Sequence, residues 1–501
     1  MRTRRHRSRR DRVSWSERLR SDKSRLLVAA LFIGAVFLIG GGSRSDIVSL
    51  TVLRPLAVLV LFYGLYNLDP RIPVRWGAPF WLLLVLTVWT ALQLVPLPHD
   101  LWAGLPGREM PAVHDALVFS AGVARPLSLT PSGTWNTLFS LTVPLAVMIC
   151  CAQVDRTARL RLLGVVFAAI ALNAIVATLQ ILGPPSGPLY FFRVTNYNNP
   201  VGLFSNRNHL AIFLASALPL VVHAMLASQH DARRRPLVLA VAVGAVVSTL
   251  VVVLASGSRA GTLLFAGSLA ASSVLWLASS YRRGALKSGA GGRLVPLVSA
   301  GVVALATGLA ILSTARTTSI DRFLDESLDA DLRVRVAPQL WDMLTSYFPF
   351  GSGFGSFASA YSAIEPFALL RPTYLNHAHN DFLEFPIEGG AVALALMGAF
   401  AVWFTVVLAR SLRGLWSSRM RTATIDVAPF ACLALAVLIA GSLGDYPLRT
   451  PAITAWAALL CCLLQAPRTT GETRHLPADP GQATRPRPGQ PQAKVFKRSL
   501  P

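Results

Sequence analysis

A chain of 501 residues with 53% apolar and only 14% charged residues, and a mean hydropathy of +0.51, excludes an ordinary soluble protein of two or three domains. The net charge of +23 raises nucleic-acid binding, but the excess is concentrated in the two terminal segments, with 11 of the 47 basic residues in the first 25 positions and seven after position 466. Segments of that composition read as anchors against anionic membrane lipid, and a nucleic-acid partner is not expected.

In chain order, a basic tail at 1–25 precedes a series of apolar runs long enough to cross, or nearly cross, the roughly 30 Å hydrocarbon layer as helices. Twelve such spans are expected, at about 26–42, 50–66, 79–95, 135–152, 162–182, 209–227, 237–256, 261–279, 295–313, 391–409, 428–443 and 452–466. The second is interrupted by Arg54, and the fourth begins among polar residues. The first run resembles a signal peptide but ends in Gly40-Gly41-Gly42-Ser43-Arg44 without a small-x-small cleavage site, so it is expected to remain as an anchor. The domain plan is then a tail at 1–25, spans 1–9 over 26–313, a large loop at 314–390, spans 10–12 over 391–466 and a Pro/Gly/Gln-rich basic tail at 467–501. The fold class is an all-α integral membrane protein with about twelve transmembrane helices.

Charge provides an independent check, because lysine and arginine gather on the cytoplasmic side of short loops. With the N-terminus inside, alternation places 34 of the 47 basic residues inside and 12 outside, with Arg54 within a span. Both termini are therefore expected in the cytoplasm and the 314–390 loop outside it. The five cysteines, Cys150, Cys151, Cys432, Cys461 and Cys462, fall in or at the ends of spans and form no metal or disulfide pattern, so packing is their expected use.

Three polar features lie on the outer side: Phe204-Ser205-Asn206-Arg207-Asn208-His209, Ser256-Gly257-Ser258-Arg259-Ala260-Gly261, and the large loop. Arg259 sits in a turn of a few residues between two strongly apolar helices, which places it at or just inside the interface. An arginine at that depth costs roughly 2–3 kcal/mol unless it snorkels or is paired. It either reaches lipid headgroups or holds an anionic group of a lipid-borne substrate, for which its bidentate fork suits phosphate oxygens. Arg333, in Asp329-Ala330-Asp331-Leu332-Arg333-Val334-Arg335, either pairs with a neighbouring aspartate or joins Arg259 in clamping a diphosphate.

Gly351-Ser352-Gly353-Phe354-Gly355 lacks a nucleotide-binding register and reads as tight turns and close backbone approach. In Asn376-His377-Ala378-His379-Asn380-Asp381, the His-x-His pair with Asp381, Glu384 and Glu388 admits a metal reading, but no third strong ligand appears at a recognisable spacing. The alternatives are a solvated polar loop with incidental histidines, or a histidine that accepts a proton from an attacking hydroxyl, with Asp381 or Glu384 orienting the ring.

These motifs, in this order, resemble the O-antigen ligase and polymerase superfamily of multi-spanning bacterial proteins, over about residues 195–400. The carrying segments are Gly202 to His209, Ser258-Arg259-Ala260-Gly261, Arg333 followed by Pro349 to Gly355, and His377 to Glu384 with Glu388-Gly389-Gly390. The family's His-Asn, nine residues, glycine pattern is met by His379, Asn380 and Gly390, with Ala393 a mild departure three places later; its Arg-x-x-x-Leu element is met by Arg259 and Leu263 but does not recur at Arg333 or Arg335.

The resemblance implies a fold like the membrane-embedded glycosyltransferase type C class, located in the bacterial inner membrane. It implies a metal-independent, inverting glycan transferase without a cofactor, acting on an undecaprenyl-diphosphate-linked donor at the periplasmic face. In that reading His379 is the general base, Arg259 and Arg333 hold the diphosphate, and Asn380, Asp381, Glu384, Arg207, His209 and His377 support them. The acceptor is a lipid or glycan, membrane lipids surround the protein, and polysaccharide-assembly proteins are possible partners. Ligase, repeat-unit polymerase and protein O-oligosaccharyltransferase share these motifs. Outside the family, a secondary transporter and a non-catalytic partner of a polysaccharide machine are the rivals.

Overall fold

The computed structural model describes residues 21–68, 76–118, 122–230, 233, 235–282, 335–370, 374–416 and 425–465. Fifteen α-helices and one minimal strand pair make up the described part. In chain order the helices are α1 (Asp22–Ile39), α2 (Leu50–Tyr66), α3 (Ala78–Leu92), α4 (His99–Ala103), α5 (Glu109–Leu117), α6 (Pro131–Ala152), α7 (Arg156–Leu182), α8 (Arg207–Ala227), α9 (Arg235–Ala255), α10 (Arg259–Arg282), α11 (Ala337–Tyr347), α12 (Phe357–Ser362), α13 (Asp381–Trp416), α14 (Ala428–Gly441) and α15 (Pro451–Leu463). Strands β1 (Pro96–Leu97) and β2 (Arg125–Pro126) pair antiparallel beside α4.

Helices occupy eleven of the twelve stretches expected to be spans; the ninth, 295–313, lies outside the described residues, as does Arg333. Six of them, α6 to α10 and α13, are long and apolar enough to cross a membrane, and α2, α3, α14 and α15 are shorter apolar helices. Their starts follow local chemistry. Asp155 accepts from the Ala158 amide at 2.6 Å and Asn206 from the Asn208 amide at 2.8 Å, while α6 and α15 begin at Pro131 and Pro451, where a missing N–H costs nothing. Pro55, Pro144 and Pro219 lie inside helices, as apolar spans tolerate when neighbouring helices support the backbone.

The helix α8 is buried along most of its length and forms the centre of the bundle, packed by α9, α10 and α14. Trp456 of α15 is fully buried and donates to Ser216 of α8 at 3.0 Å, and Ser268 of α10 donates to the Ala215 carbonyl at 2.8 Å. All five cysteines are free and buried within this packing.

Contacts separate the two ends of the bundle. At one end, the Arg25 guanidinium reaches the Asn67 carbonyl at 3.1 Å, Gln153 the Gly64 carbonyl at 2.9 Å, Arg159 the Cys462 carbonyl at 2.9 Å, and Arg156 pairs with Asp426. These unite the starts of α1, α7 and α14 with the ends of α2, α6 and α15. At the other end, Ala452 donates to Gly40, Asn208 to Asp445 and Arg207 to Ser256, joining the start of α8 to the ends of α1, α9 and α14. By these contacts α1 and α2, α6 to α9, and α14 and α15 run in alternating directions.

Gly40-Gly41-Gly42 has a packing use. A Cβ on Gly40 would stand 3.2 Å from Pro451 Cβ, and one on Gly41 would lie 1.8 Å from the Leu203 carbonyl oxygen. The small residues let the link after α1 thread between the entry to α8 and the start of α15.

The large polar segment is folded from Arg335 onward instead of forming an open loop. Leu340, Met343, Tyr347, Phe357 and Tyr361 of α11 and α12 bury against Ala378 and Ile387. The glycine ladder joins this small core to the bundle: Gly351, Gly353 and Gly355 all have φ between 80° and 100°, and added Cβ atoms would meet Glu388 O, Ser128 and Gly133 O within 2.4 Å. Gly390 breaks α13 with φ 62°, and its own Cβ would strike Pro349 O at 2.1 Å. Gly351 and Gly390 thus allow close backbone contact between the docked turn and the kinked helix, while Gly353 and Gly355 allow the turn to approach Ser128 and Gly133 at the start of α6. The docking is completed by Arg108, which is fully buried and donates to Leu127 O at 2.6 Å and Gly351 O at 2.8 Å. Gln93 donates to Glu388 O at 3.1 Å and accepts from the Phe354 amide at 2.9 Å.

Candidate functional site

At the end of the bundle where α8 and α15 begin, four elements bring ionisable side chains together: the start of α8, the turn before α13, the first turns of α13, and the link between α14 and α15. Asn380 accepts from the Phe382 amide at 2.9 Å and so caps α13. The residue before it, His379, is held at φ 52°, a left-handed conformation that side chains other than glycine seldom adopt. The turn is fixed by Glu384, which accepts from His377 Nδ1 and from the Ala378 amide, both at 2.7 Å.

With its backbone so placed, His379 turns Nδ1 toward Asp445 Oδ1 at 3.3 Å. Asp445 is nearly fully buried in the α14–α15 link, accepts from Asn208 at 2.9 Å and takes its own neighbour's amide, Tyr446 N, at 3.0 Å. Burial would push its carboxyl up, but His209 and His379 facing it hold it well below the ordinary carboxylate range. The Nδ1 side of His379 faces that carboxylate at ion-pair distance without a formed hydrogen bond, and Nε2 is the nitrogen left to exchange a proton with another molecule; the side chain is 25% exposed. The Tyr446 ring packs among three imidazoles, 4.2 Å from His377 and 5.0 Å from both His209 and His379.

A second cluster supports the first. Arg449, in the same link, lies 2.9 Å from Glu388, 3.2 Å from Glu384 and 3.7 Å from Asp381, which rise along one side of α13 at positions i, i+3 and i+7. Burial works against its charge, but these three carboxylates hold the guanidinium above its ordinary pKa. Glu388 also accepts from the amides of Gly355 at 2.9 Å and Phe357 at 3.1 Å, so the glycine turn, the carboxylates, Arg449 and the His377–His379 turn form one connected network.

The residues singled out from sequence divide accordingly. His377, His379, Asn380, Asp381 and Glu384 come together. His209 is fully buried, hydrogen-bonded through Nδ1 to Thr450 at 2.8 Å, with Nε2 3.8 Å from Asp445. Arg207 hydrogen-bonds Asn199 at 3.2 Å and the Ser256 carbonyl at 3.4 Å, tying the start of α8 to the turn that carries Arg259. Arg259 is exposed at the start of α10, at the same end of the bundle as His379. Arg335 is described and exposed at the entrance to α11.

Asp445, Tyr446 and Arg449 were missed from sequence. Their signal was an aspartate and an arginine in a link of a few residues between two apolar helices, the same pattern that drew attention to Arg259.

Residues 244–398 match the family model described as O-antigen ligase. The match takes in Arg259 and the whole His377–Glu388 segment, whereas Arg207, His209, Asp445 and Arg449 lie outside it. No curated protein matches the chain.

Proposed function

Starting from an O-antigen ligase domain set in a bundle of apolar helices, we propose that this protein transfers a glycan from an undecaprenyl-diphosphate donor to an acceptor hydroxyl at the periplasmic face of the bacterial inner membrane. The observation that carries the proposal is the His379–Asp445 pair, a partly exposed imidazole whose other nitrogen faces a buried carboxylate. His379 Nε2 takes the proton of the acceptor hydroxyl as its oxygen bonds to the anomeric carbon. The bond from that carbon to the diphosphate oxygen breaks on the opposite side, so configuration inverts and the diphosphate leaves with the bonding electron pair. Asp445 stabilises the imidazolium that forms. Arg259, together with Arg333 from the segment outside the described residues, meets the growing charge on the diphosphate. This scheme requires no metal or cofactor.

The positive-inside charge pattern supports the orientation, with the site end outside and both termini in the cytoplasm. A periplasmic site places the reaction where lipid-linked glycans are joined into surface polysaccharide, in company with other assembly proteins. The acceptor hydroxyl belongs to a lipid-borne sugar in this reading; repeat-unit polymerisation and protein glycosylation use the same chemistry on different acceptors.

The test is reconstitution of the purified protein with a polyprenyl-diphosphate glycan and candidate acceptors. Glycan joined to an acceptor, with release of polyprenyl diphosphate, is the expected result. Solute uptake without a joined product would identify a transporter, and donor binding without turnover a non-catalytic partner. A reporter fused at Ser346 is expected to be periplasmic, and a cytoplasmic signal there would overturn the scheme.

A further inference from the structure

On the flank of the bundle, apart from the histidine cluster, an open cleft of about 560 Å³ lies between the start of α2 and α6. Its walls are apolar and partly exposed, with Val58 at 44%, Leu59 at 66% and Phe139 at 43% of full exposure, which suits a surface facing lipid chains. Arg54 also lines it, four residues into α2 and so roughly 6 Å below the helix end at 1.5 Å per residue. The guanidinium is held in place through Nη2 by Asn136 and Ser140, both neutral, and Nε is buried without a hydrogen-bond partner. Among the described residues no carboxylate forms an ion pair with it.

The mouth of the cleft is cationic. Ser45 and Ile47 line it, and Asp46 between them is already engaged by two guanidiniums, Arg44 at 3.0 Å and Arg193 at 3.1 Å. Two arginines share that carboxylate and, among the described residues, Arg54 pairs with none, so the three guanidiniums outnumber the one carboxylate. An apolar wall open to the bilayer, a positioned guanidinium at headgroup depth and a surplus of positive charge at the rim are complementary to an anionic lipid. A single guanidinium inside the cleft matches a monoanionic phosphodiester, and the cationic rim disfavours a headgroup that carries an ammonium.

We propose that this cleft binds one phospholipid of net negative charge, with its phosphodiester on Arg54 and an acyl chain along Val58, Leu59 and Phe139. The proposal stands apart from the glycan-transfer reading. It is tested by placing the full-length protein in nanodiscs of equal phosphatidylglycerol and phosphatidylethanolamine, releasing it into detergent, and measuring retained lipid by native mass spectrometry. Wild-type protein should keep phosphatidylglycerol over phosphatidylethanolamine by about fivefold, as expected for one guanidinium near the membrane surface. R54Q should abolish that preference. V58W, which fills the cleft without altering charge, should do the same and serves if R54Q does not fold. Equal retention of the two lipids by the wild type, unchanged preference in V58W, or preferential retention of added polyprenyl phosphate would overturn the proposal.

Discussion

The two ends of the bundle are organised around arginines with different partners. Where α1, α7 and α14 begin, guanidiniums satisfy backbone carbonyls: Arg159 reaches Cys151 O at 2.8 Å and Cys462 O at 2.9 Å, and Arg25 reaches Asn67 O. The partners there are the orphaned acceptors that every helix leaves at its C-terminus. At the other end, Arg449 is surrounded by titratable carboxylates, and the residues around it hold a histidine in a left-handed backbone conformation. The first arrangement joins the ends of neighbouring helices. The second concentrates buried charge, backbone strain and a partly exposed imidazole in one place, which a protein retains where it performs chemistry.

Substitutions break this contrast in graded ways. Arg449→Ala leaves Asp381, Glu384 and Glu388 buried without their shared cation, and the loss of a buried partner of this kind costs about 3–5 kcal/mol. Thermal unfolding in detergent should show it as the most destabilised variant, and a midpoint equal to wild type would remove Arg449 from the centre of the network. Arg159→Ala, at the other end, loses only hydrogen bonds to carbonyls and should cost about 1–3 kcal/mol, with transfer per folded molecule unchanged. A fall in specific activity there would show that the two ends are not functionally separate. Gly390→Ala should cost about 1–2 kcal/mol from its positive φ, and more from the collision with Pro349 O, seen as increased proteolysis of the 335–380 segment.

The smallest effect concerns acid. Asp445 has a folded pKa below its ordinary value of 3.8, so its contribution to stability is fully present above that value and is lost as pH falls through the lowered one. Asp445→Asn should therefore flatten the pH dependence of stability below about pH 4 and leave the rest of the profile intact. Identical acid unfolding curves for the two proteins would contradict the pairing of Asp445 with His209 and His379.

Much of this contrast was legible in the chain. Apolar run lengths located the helices, and the short spacing from His377 to Glu388 placed two histidines and three carboxylates around the first turns of α13. The glycine pattern was correctly read as close backbone approach, because Gly351 to Gly355 lacked any phosphate-cradling register. What the chain did not disclose was pairing between distant elements. Asp381 and Glu384 stood nearest His379 in sequence and were the expected orienting acids, yet both turn toward Arg449, and the acid facing His379 comes from the α14–α15 link. His209, expected among the supporting residues, lies fully buried beside Asp445, a placement that only helix packing discloses.

In the proposed reaction His379, facing Asp445, removes the proton from the acceptor hydroxyl. Single-turnover transfer from a lipid-linked donor by purified His379→Ala, with its unfolding midpoint matched to wild type, tests this most directly. The expected rate is about 10²–10⁴-fold lower, the usual contribution of a positioned general base. A rate within about twofold of wild type, well short of that loss, would contradict it.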